Sequence, residues 1–331
     1  MFKKFVSSLL AAGTLFGLIA IPAAQAQTLE KNFPTQPVRI IVPYGAGGAA
    51  DLLARLVGEK LSEYWGQAVI VENRPGGVGT IGISAVVKSK PDGYTLVTVP
   101  VSDLAVNPHL YKNRPFDVLK DLAPVSQLGA VPNILVVPKT SGIKTARELI
   151  EYSKKQDGVL SYSSPGVGSQ AHIAAEVFIK TNGIKMQHIP YNSVSAALTD
   201  LVGGHIDSMF AQFPAAWPLI KANKVVALGI AAEERSVLIP DLPTLQEATG
   251  RSYGDAISWS GLMAPAGTPL PIREKIARDI KHLMQSTDLS EKLAQQGTVG
   301  IGSTPQELAA AIDRDYKRYG KAIEEMNISI N

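Results

Sequence analysis

Val38-Arg39-Ile40-Ile41-Val42-Pro43-Tyr44, followed by Gly45-Ala46-Gly47-Gly48-Ala49-Ala50-Asp51 and an amphipathic run from Leu52, has the form of a strand, a glycine-rich turn and a helix. The same order returns later in the chain. Gly158-Val159-Leu160-Ser161-Tyr162-Ser163-Ser164-Pro165 leads into Gly166-Val167-Gly168-Ser169-Gln170 and a helical run around His172 to Ile179. A helix opened by glycines presents free backbone N–H groups and the positive end of its dipole, which suits an anion. Neither turn contains a lysine or arginine. Two such turns, one in each half of the chain, suggest two walls of a cleft closing on a small carboxylate.

Outward from these turns, strand-like and helical runs alternate almost throughout, the pattern of α/β layering with a largely parallel sheet. Strands are expected over Ala68 to Glu72, Tyr94 to Val99, Leu160 to Ser163, Met186 to Tyr191, Ile206 to Phe210, Val225 to Ala231 and Ile257 to Ala264. Val125 to Val137 is one long extended run interrupted by Pro132. Helices are expected over Ile81 to Ser89, Thr145 to Lys155, Ser195 to Val202, Pro271 to Gln285 and Pro305 to Met326. Leu53, Leu56, Val57, Leu61 and Tyr64 recur at helical spacing and form a packing stripe.

The N-terminus points to export. Lys3 and Lys4 precede an apolar stretch from Phe5 to Ile21, and Pro22 leads to Ala24-Gln25-Ala26, a small-x-small site with cleavage expected before Gln27. The stretch is short of the roughly 20 residues that span hydrocarbon. Without its first 26 residues the 331-residue chain keeps 305, enough for two lobes with their own cores, and carries a near-balanced formal charge of +1. That balance argues against nucleic acid as a partner. No cysteine is present, so stability rests on core burial and not on disulfides. The five histidines are scattered, with no metal-site spacing.

Two chemistries compete with plain binding. Gly45-x-Gly47-x-x-Ala50 after a strand, with Glu72 ending the next one, fits a relaxed dinucleotide fingerprint. Export argues against it, because a diffusible nicotinamide is not maintained outside the cytoplasm. A hydrolase would need a nucleophile, a base and an orienting group. Ser169 and His172 lie one helical turn apart, but Gly-x-Ser-x-Gly is absent, and hydroxyls that cap the helix and bond a ligand are the favoured reading.

The order Pro43-Tyr44-x-x-Gly47-Gly48-x-x-Asp51, Val71-Glu72-Asn73-Arg74-Pro75-Gly76 and Pro91-Asp92-Gly93-Tyr94-Thr95-Leu96 closely resembles the Bug (TctC-like) family, extracytoplasmic receptors of tripartite tricarboxylate transporters. The likeness continues through Ser164-x-Gly166-x-Gly168-Ser169-x-x-His172, Pro190-Tyr191 and Asp200-Leu201-x-Gly203-Gly204-x-Ile206-Asp207. It resumes at Leu242-Pro243-Thr244 and Trp259-x-Gly261-Leu262-x-Ala264-Pro265-x-Gly267-Thr268-Pro269.

This resemblance implies an α/β, type II periplasmic binding protein fold of two lobes, each a mixed, mostly parallel sheet flanked by helices. Residues 1–26 would be the signal peptide, 27–137 plus 251–331 the first lobe and 138–250 the second. The first lobe would present Tyr44, Gly47, Gly48, Asp51, Ser102 and Asp103 to the ligand. The second would present Ser163, Ser164, Gly166, Gly168, Ser169, Gln170, His172, Tyr191, Phe210 and Gln212. The expected partners are a small carboxylate (a di- or tricarboxylate, an acidic amino acid or an aromatic acid) and the membrane subunits of such a transporter. No chemistry, cofactor or metal is implied, and the chain is expected to act as a monomer in the periplasm. A sensor that presents its ligand to a signalling partner shares the fold and stays open as an alternative.

Three departures from the family pattern bear on the ligand. Ala49 and Ala50 replace hydroxyl residues, Asn192-Ser193 replaces a common Lys-Gly, and Ser102-Asp103 stands where many relatives carry a threonine-histidine pair. A carboxylate at Asp103 would repel an anion and select an amine or hydroxyl.

Overall fold

The computed structural model describes residues 32–111, 113–155, 159–191, 193–254 and 256–326; the expected signal segment, Gln27 and Asn192 lie outside the described residues. Two sheets carry the chain. The first contains β1 (Val38–Val42), β2 (Val69–Asn73), β3 (Thr95–Pro100), β4 (Leu122–Val131), β10 (Ser258–Pro265) and β11 (Val299–Gly300), in the order β11-β4-β10-β3-β1-β2. The second contains β5 (Asn133–Pro138), β6 (Leu160–Ser164), β7 (Met186–Pro190), β8 (Ser208–Gln212) and β9 (Val225–Ile230), in the order β7-β6-β8-β5-β9.

Both sheets are buried on two faces, as period-two alternation requires. Val38, Ile40 and Val42 enter one core of the first lobe and Ile41 the other. In the second lobe Leu135 and Val137 face one core, Ile134 and Val136 the opposite one. Helix α1 (Ala49–Trp65) lays Leu53, Ala54, Val57 and Leu61 against β1 at helical spacing. Leu53, Val57 and Leu61 each contribute about 1.5–3 kcal/mol by leaving water, and the Ala54 methyl less.

Pairing is parallel where a strand, helix and strand follow in sequence: β1 with β2 and β3, β6 with β7 and β8. It is antiparallel where the chain changes lobe: β10 with β3 and β4, β5 with β8 and β9. Antiparallel pairing therefore takes a larger share of each sheet than the regular alternation implied.

The crossings also move the lobe boundaries. The run Val125 to Val137 was expected to stay in the first lobe, but Asn133 to Val136 pair with β8, so the chain crosses at Pro132. Proline has no amide to continue a ladder, which makes it a natural break. On the return, the Ala256 amide still bonds Ala231 O at 2.9 Å, whereas Ser258 pairs with Val131. The second crossing is at Ile257, several residues beyond the expected boundary at 250. Two further helices shape the region between the lobes: α2 (Gln170–Asn182) follows β6, and α3 (Pro305–Met326) packs against both lobes.

Candidate functional site

The first glycine turn leaves its helix uncapped. Gly47 holds φ +85, a conformation that glycine adopts without strain, and Gly48 is the N-cap with no side chain to offer. The first bond inside α1 runs from the Leu52 amide to Gly48 O at 3.0 Å. The amides of Ala49, Ala50 and Asp51 therefore have no partner within the helix.

Asp51 was expected to face the ligand; its carboxylate turns inward and braces the turn. It accepts from the Gly47 amide at 2.8 Å, from Arg55 Nε at 3.1 Å and from Asn73 Nδ2 at 2.8 Å, and is 2 % exposed. Burial pushes its pKa up, but these three donors outweigh burial and hold it below the usual carboxylate value. Asn73 also donates to Tyr44 O, tying β2 to the turn.

Asp103 is not at the cleft. After β3 the chain enters a π-helical segment, Ser102–Val106, in which Ser102 meets the cleft and Asp103 turns into the lobe. Asp103 is fully buried and accepts from the Tyr44 hydroxyl, from Asn107 Nδ2 at 2.8 Å and from Arg114 Nη2 at 3.1 Å. Burial pushes its pKa up, against the pull of these three partners. Burial and the adjacent carboxylate likewise raise the Tyr44 phenol. Asp103 is thus not placed to select an amine or hydroxyl on a ligand: its carboxylate is already held by the Tyr44, Asn107 and Arg114 side chains of its own lobe.

The second turn is built with different chemistry. Ser169 caps α2, accepting from the His172 amide at 3.2 Å, and Ile173 N bonds Ser169 O at 3.0 Å. The amides of Gln170 and Ala171 have no partner within the helix. His172 Nδ1 accepts from the Gly168 amide at 3.1 Å, so the ring braces the turn and is not a base for Ser169. His188 stacks on His172 with ring centroids 4.1 Å apart and stacks in turn on Tyr162. Burial and the neighbouring His188 push His172 down to about 3; burial pushes His188 down to about 4. These shifts keep both rings neutral near pH 7, which the Gly168 bond requires of His172. Ser164 Oγ lies 2.7 Å from His188 Nε2 and 3.0 Å from Gly166 O, inside the turn.

A cleft of about 460 Å³ separates the two turns. Of the expected site residues, Tyr44, Gly48, Asp51, Ser102, Ser169, Gln170, Phe210 and Gln212 line it. Gly47, Asp103, Ser163, Ser164, Gly166, Gly168, His172 and Tyr191 do not. Gly47, Ser164, Gly166, Gly168 and His172 shape or brace the turns. Ser163 is buried with its Oγ unpartnered among the described residues, and the Tyr191 hydroxyl donates to Asp200 at 2.6 Å. Gln170 Nε2 reaches both Ile257 O and the Tyr319 hydroxyl at 2.9 Å, joining α2 to the second crossing and to α3.

Of the residues missed by sequence reasoning, Val131, Asn133, Ser258, Trp259 and Ser260 line the cleft at the crossings, and Pro100, Gly129, Met209 and Thr298 line it elsewhere. The sequence signals near them were Pro132, which breaks a long apolar run, and the Trp259-x-Gly261-Leu262 motif. Among the described residues no lysine, arginine or histidine lines the cleft, no acidic or histidine cluster could hold a metal ion, and no helix is long and apolar enough to cross a membrane.

Comparison with known proteins gives a consistent pattern. Residues 53–328 match the model of the tripartite tricarboxylate transporter family receptor. The protein BugT of Bordetella pertussis is 34% identical over 308 residues, covering 93% of this chain and 94% of BugT. A protein of R. palustris solved with adipate superposes with a TM-score of 0.80 at 30% identity, over 90% of this chain and 99% of its own. MatC of Rhodopseudomonas palustris, solved with bound malate, gives 0.75 at 28% identity, over 88% and 100%.

Proposed function

Since the chain belongs to the tripartite tricarboxylate transporter receptor family, we propose that it is a periplasmic receptor that captures a small carboxylate between its lobes and delivers it unchanged to membrane subunits. One observation carries this reading. Ala49, Ala50 and Asp51, whose amides have no partner within their helix, line the same cleft as Gln170 and Ala171, with no cationic side chain among the described lining residues. Taking a carboxylate out of water costs several kcal/mol unless donors are already in place. Two helix N-termini supply such donors without side-chain ordering. The relatives solved with adipate and malate favour an organic acid here too.

Capture follows from the crossings. Rotation about Pro132 and Ile257 brings the second turn toward the first, and the ligand becomes the bridge. Export would proceed by cleavage before Gln27. The test is a thermal-shift screen against di- and tricarboxylates, acidic amino acids and aromatic acids, followed by mass spectrometry of the released ligand. A ligand at a hundred times its dissociation constant adds about 2.7 kcal/mol of stability. Stabilisation by none of these acids, or recovery of a converted product, would refute the reading. N-terminal sequencing of the osmotic-shock fraction tests export; a full-length chain retained with the membranes would refute it.

A further inference from the structure

The charges around the cleft are either positive or already answered. Three helices begin at its wall: α1, α2 and the helix Val194–Val202, whose first residue lines the cleft together with its cap, Ser193. Each brings the positive end of its dipole there. Only two of the described lining residues can ionise, Tyr44 and Asp51. Tyr44 stays a phenol, because its hydroxyl donates to Asp103 and burial beside that carboxylate raises its pKa. Asp51 is charged but committed. Its Oδ2 accepts from the Gly47 amide and its Oδ1 from Asn73 Nδ2, both at 2.8 Å, and Arg55 Nε reaches the two oxygens at 3.2 and 3.1 Å. Asp103, the other acid near the first turn, is fully buried and paired with Arg114. Among the described lining residues, no carboxylate is therefore free to meet a cation.

We propose that the cleft excludes cationic groups, so that its ligands are plain or hydroxylated carboxylic acids and the acidic amino acids are poor ligands. The inference rests on the proposed role of the cleft as a carboxylate site, and it narrows the class of acid taken there. A hydroxyl and an ammonium are close in size, and both donate hydrogen bonds; charge is what separates them. The hydroxyl is served by uncharged polar groups, and Ser102, Ser258, Ser260 and Gln212 line the cleft. The ammonium must leave water for a site that holds three positive helix ends and no free anion. A buried charge is tolerated only when a partner of opposite sign is in place. Here the partner is missing and the fixed dipoles repel, which is how a site rejects a near-isostere of its ligand. The same features that favour the carboxylate thus penalise an amine carried beside it.

The experiment is a calorimetric titration of matched acids at about pH 7.5, where aliphatic amines hold their proton. The sets are succinate, malate and aspartate; glutarate, 2-hydroxyglutarate and glutamate; and 4-methylbenzoate, 4-(hydroxymethyl)benzoate and 4-(aminomethyl)benzoate. In each set with a bound member, the amine is expected to bind the wild-type protein at least about tenfold more weakly than the best of the other two. Gln212→Glu then puts a carboxylate on the wall, since Gln212 lines the cleft, is only partly buried and makes no cap bond to its helix. It should narrow that ratio by about tenfold, whatever it does to affinity in general. Val237→Glu adds the same charge outside the cleft, at a residue 79% exposed, and should leave the ratio standing. An amine that binds the wild type as tightly as its uncharged counterparts overturns the inference without any variant and leaves the receptor reading intact. A ratio that Gln212→Glu does not move, or that Val237→Glu moves equally, is not set by charge in the cleft and overturns it too. Binding of no acid refutes the receptor reading itself, and the inference with it.

Discussion

The two glycine turns offer the same thing to the cleft and are held by opposite means. The first is braced by a buried carboxylate: Asp51 accepts from Gly47, Arg55 and Asn73. The second is braced by a neutral imidazole: His172 accepts from Gly168, backed by His188 and Ser164. They also differ in surroundings. A methyl group added at Gly47 would meet nothing, whereas at Gly168 it would strike Leu110 of the first lobe. If the turns bind the carboxylate as proposed, the backbone supplies the donors, and the side chains that hold it in place differ in kind between the two turns. The exchange has consequences for mutation and for pH.

The largest effect should come from the glycines. Both hold positive φ, which costs an L-residue about 1–2 kcal/mol. Gly47→Ala should therefore weaken binding of a ligand found by the acid screen about tenfold. Gly168→Ala adds a contact with the Leu110 side chain across the lobes, which that side chain can relieve only by moving, and should weaken it somewhat more than Gly47→Ala. Titration of both variants, with unfolding curves to confirm folding, breaks the comparison if the two losses are equal.

Acid should separate the turns next. Burial holds His172 and His188 at about 3 and about 4 when folded, below the ordinary histidine value. Between those values and about 6.5 the unfolded chain binds more protons than the folded one. Their stabilising contribution is therefore complete above about pH 6.5 and is lost as pH falls toward the folded values. By pH 5.5 the loss is on the order of 1 kcal/mol for His172 and smaller for the more exposed His188, whose charge is partly screened by solvent. Asp51 has its pKa lowered on folding, so its contribution is complete above the ordinary carboxylate value and is lost only under stronger acid. Amide exchange at pH 5.5 should show Gly168 opening while Gly47 stays protected. Equal opening of both, or acid-induced opening of Gly168 that persists undiminished in His172→Gln, would remove the distinction.

The Asp51 brace itself should be a smaller matter at neutral pH. Asp51→Asn keeps the shape and loses the charge-assisted bonds, at a cost of about 1.5–3 kcal/mol in chemical denaturation. Part of the Arg55 contribution is screened, because that side chain is 48% exposed. A loss matching that of His172→Ala would show the two braces to be equal in strength as well as in role.

Much of this was legible in the chain. Strand, glycine turn and helix have strong local signatures, and both copies fall where they were expected, with Gly48, Asp51, Ser169 and Gln170 on the cleft. The direction in which a side chain points was less legible. Asp51 and His172 carry the polar groups expected of ligand contacts, yet each folds back on its own turn. Only the three-dimensional positions of Asn73 and His188 explain why. The crossings were the weakest point. Val125 to Val137 has the apolarity of one strand, and although Pro132 marks a break in it, nothing local tells a strand that resumes in the same sheet from one that changes sheet. The helix Phe213–Lys221 went unread because Pro214 and Pro218 argue against one; both are tolerated, the first at its N-terminus. The helix Thr287–Gln295 was missed as well.

Asp103 provides the smallest expected effect and the sharpest control on the comparison. It lies near the first turn, contacts Tyr44, and has the charge that an anion site would avoid. If proximity alone governed function, its neutralisation would tighten acids as a class. The structure argues otherwise: its carboxylate is enclosed by Tyr44, Asn107 and Arg114, and Arg114 Nη2 offsets its charge at 3.1 Å while also bonding Val78 O. Asp103→Asn leaves Arg114 facing a neutral amide, so the variant should lose about 1–3 kcal/mol of folding stability. It should change the affinity of plain, hydroxy and amino acids by the same small factor, below about threefold. Titration of matched pairs against this variant gives the answer. A shift in the ratio within a pair would return Asp103 to the ligand site; a constant ratio shows that its charge is answered within its own lobe.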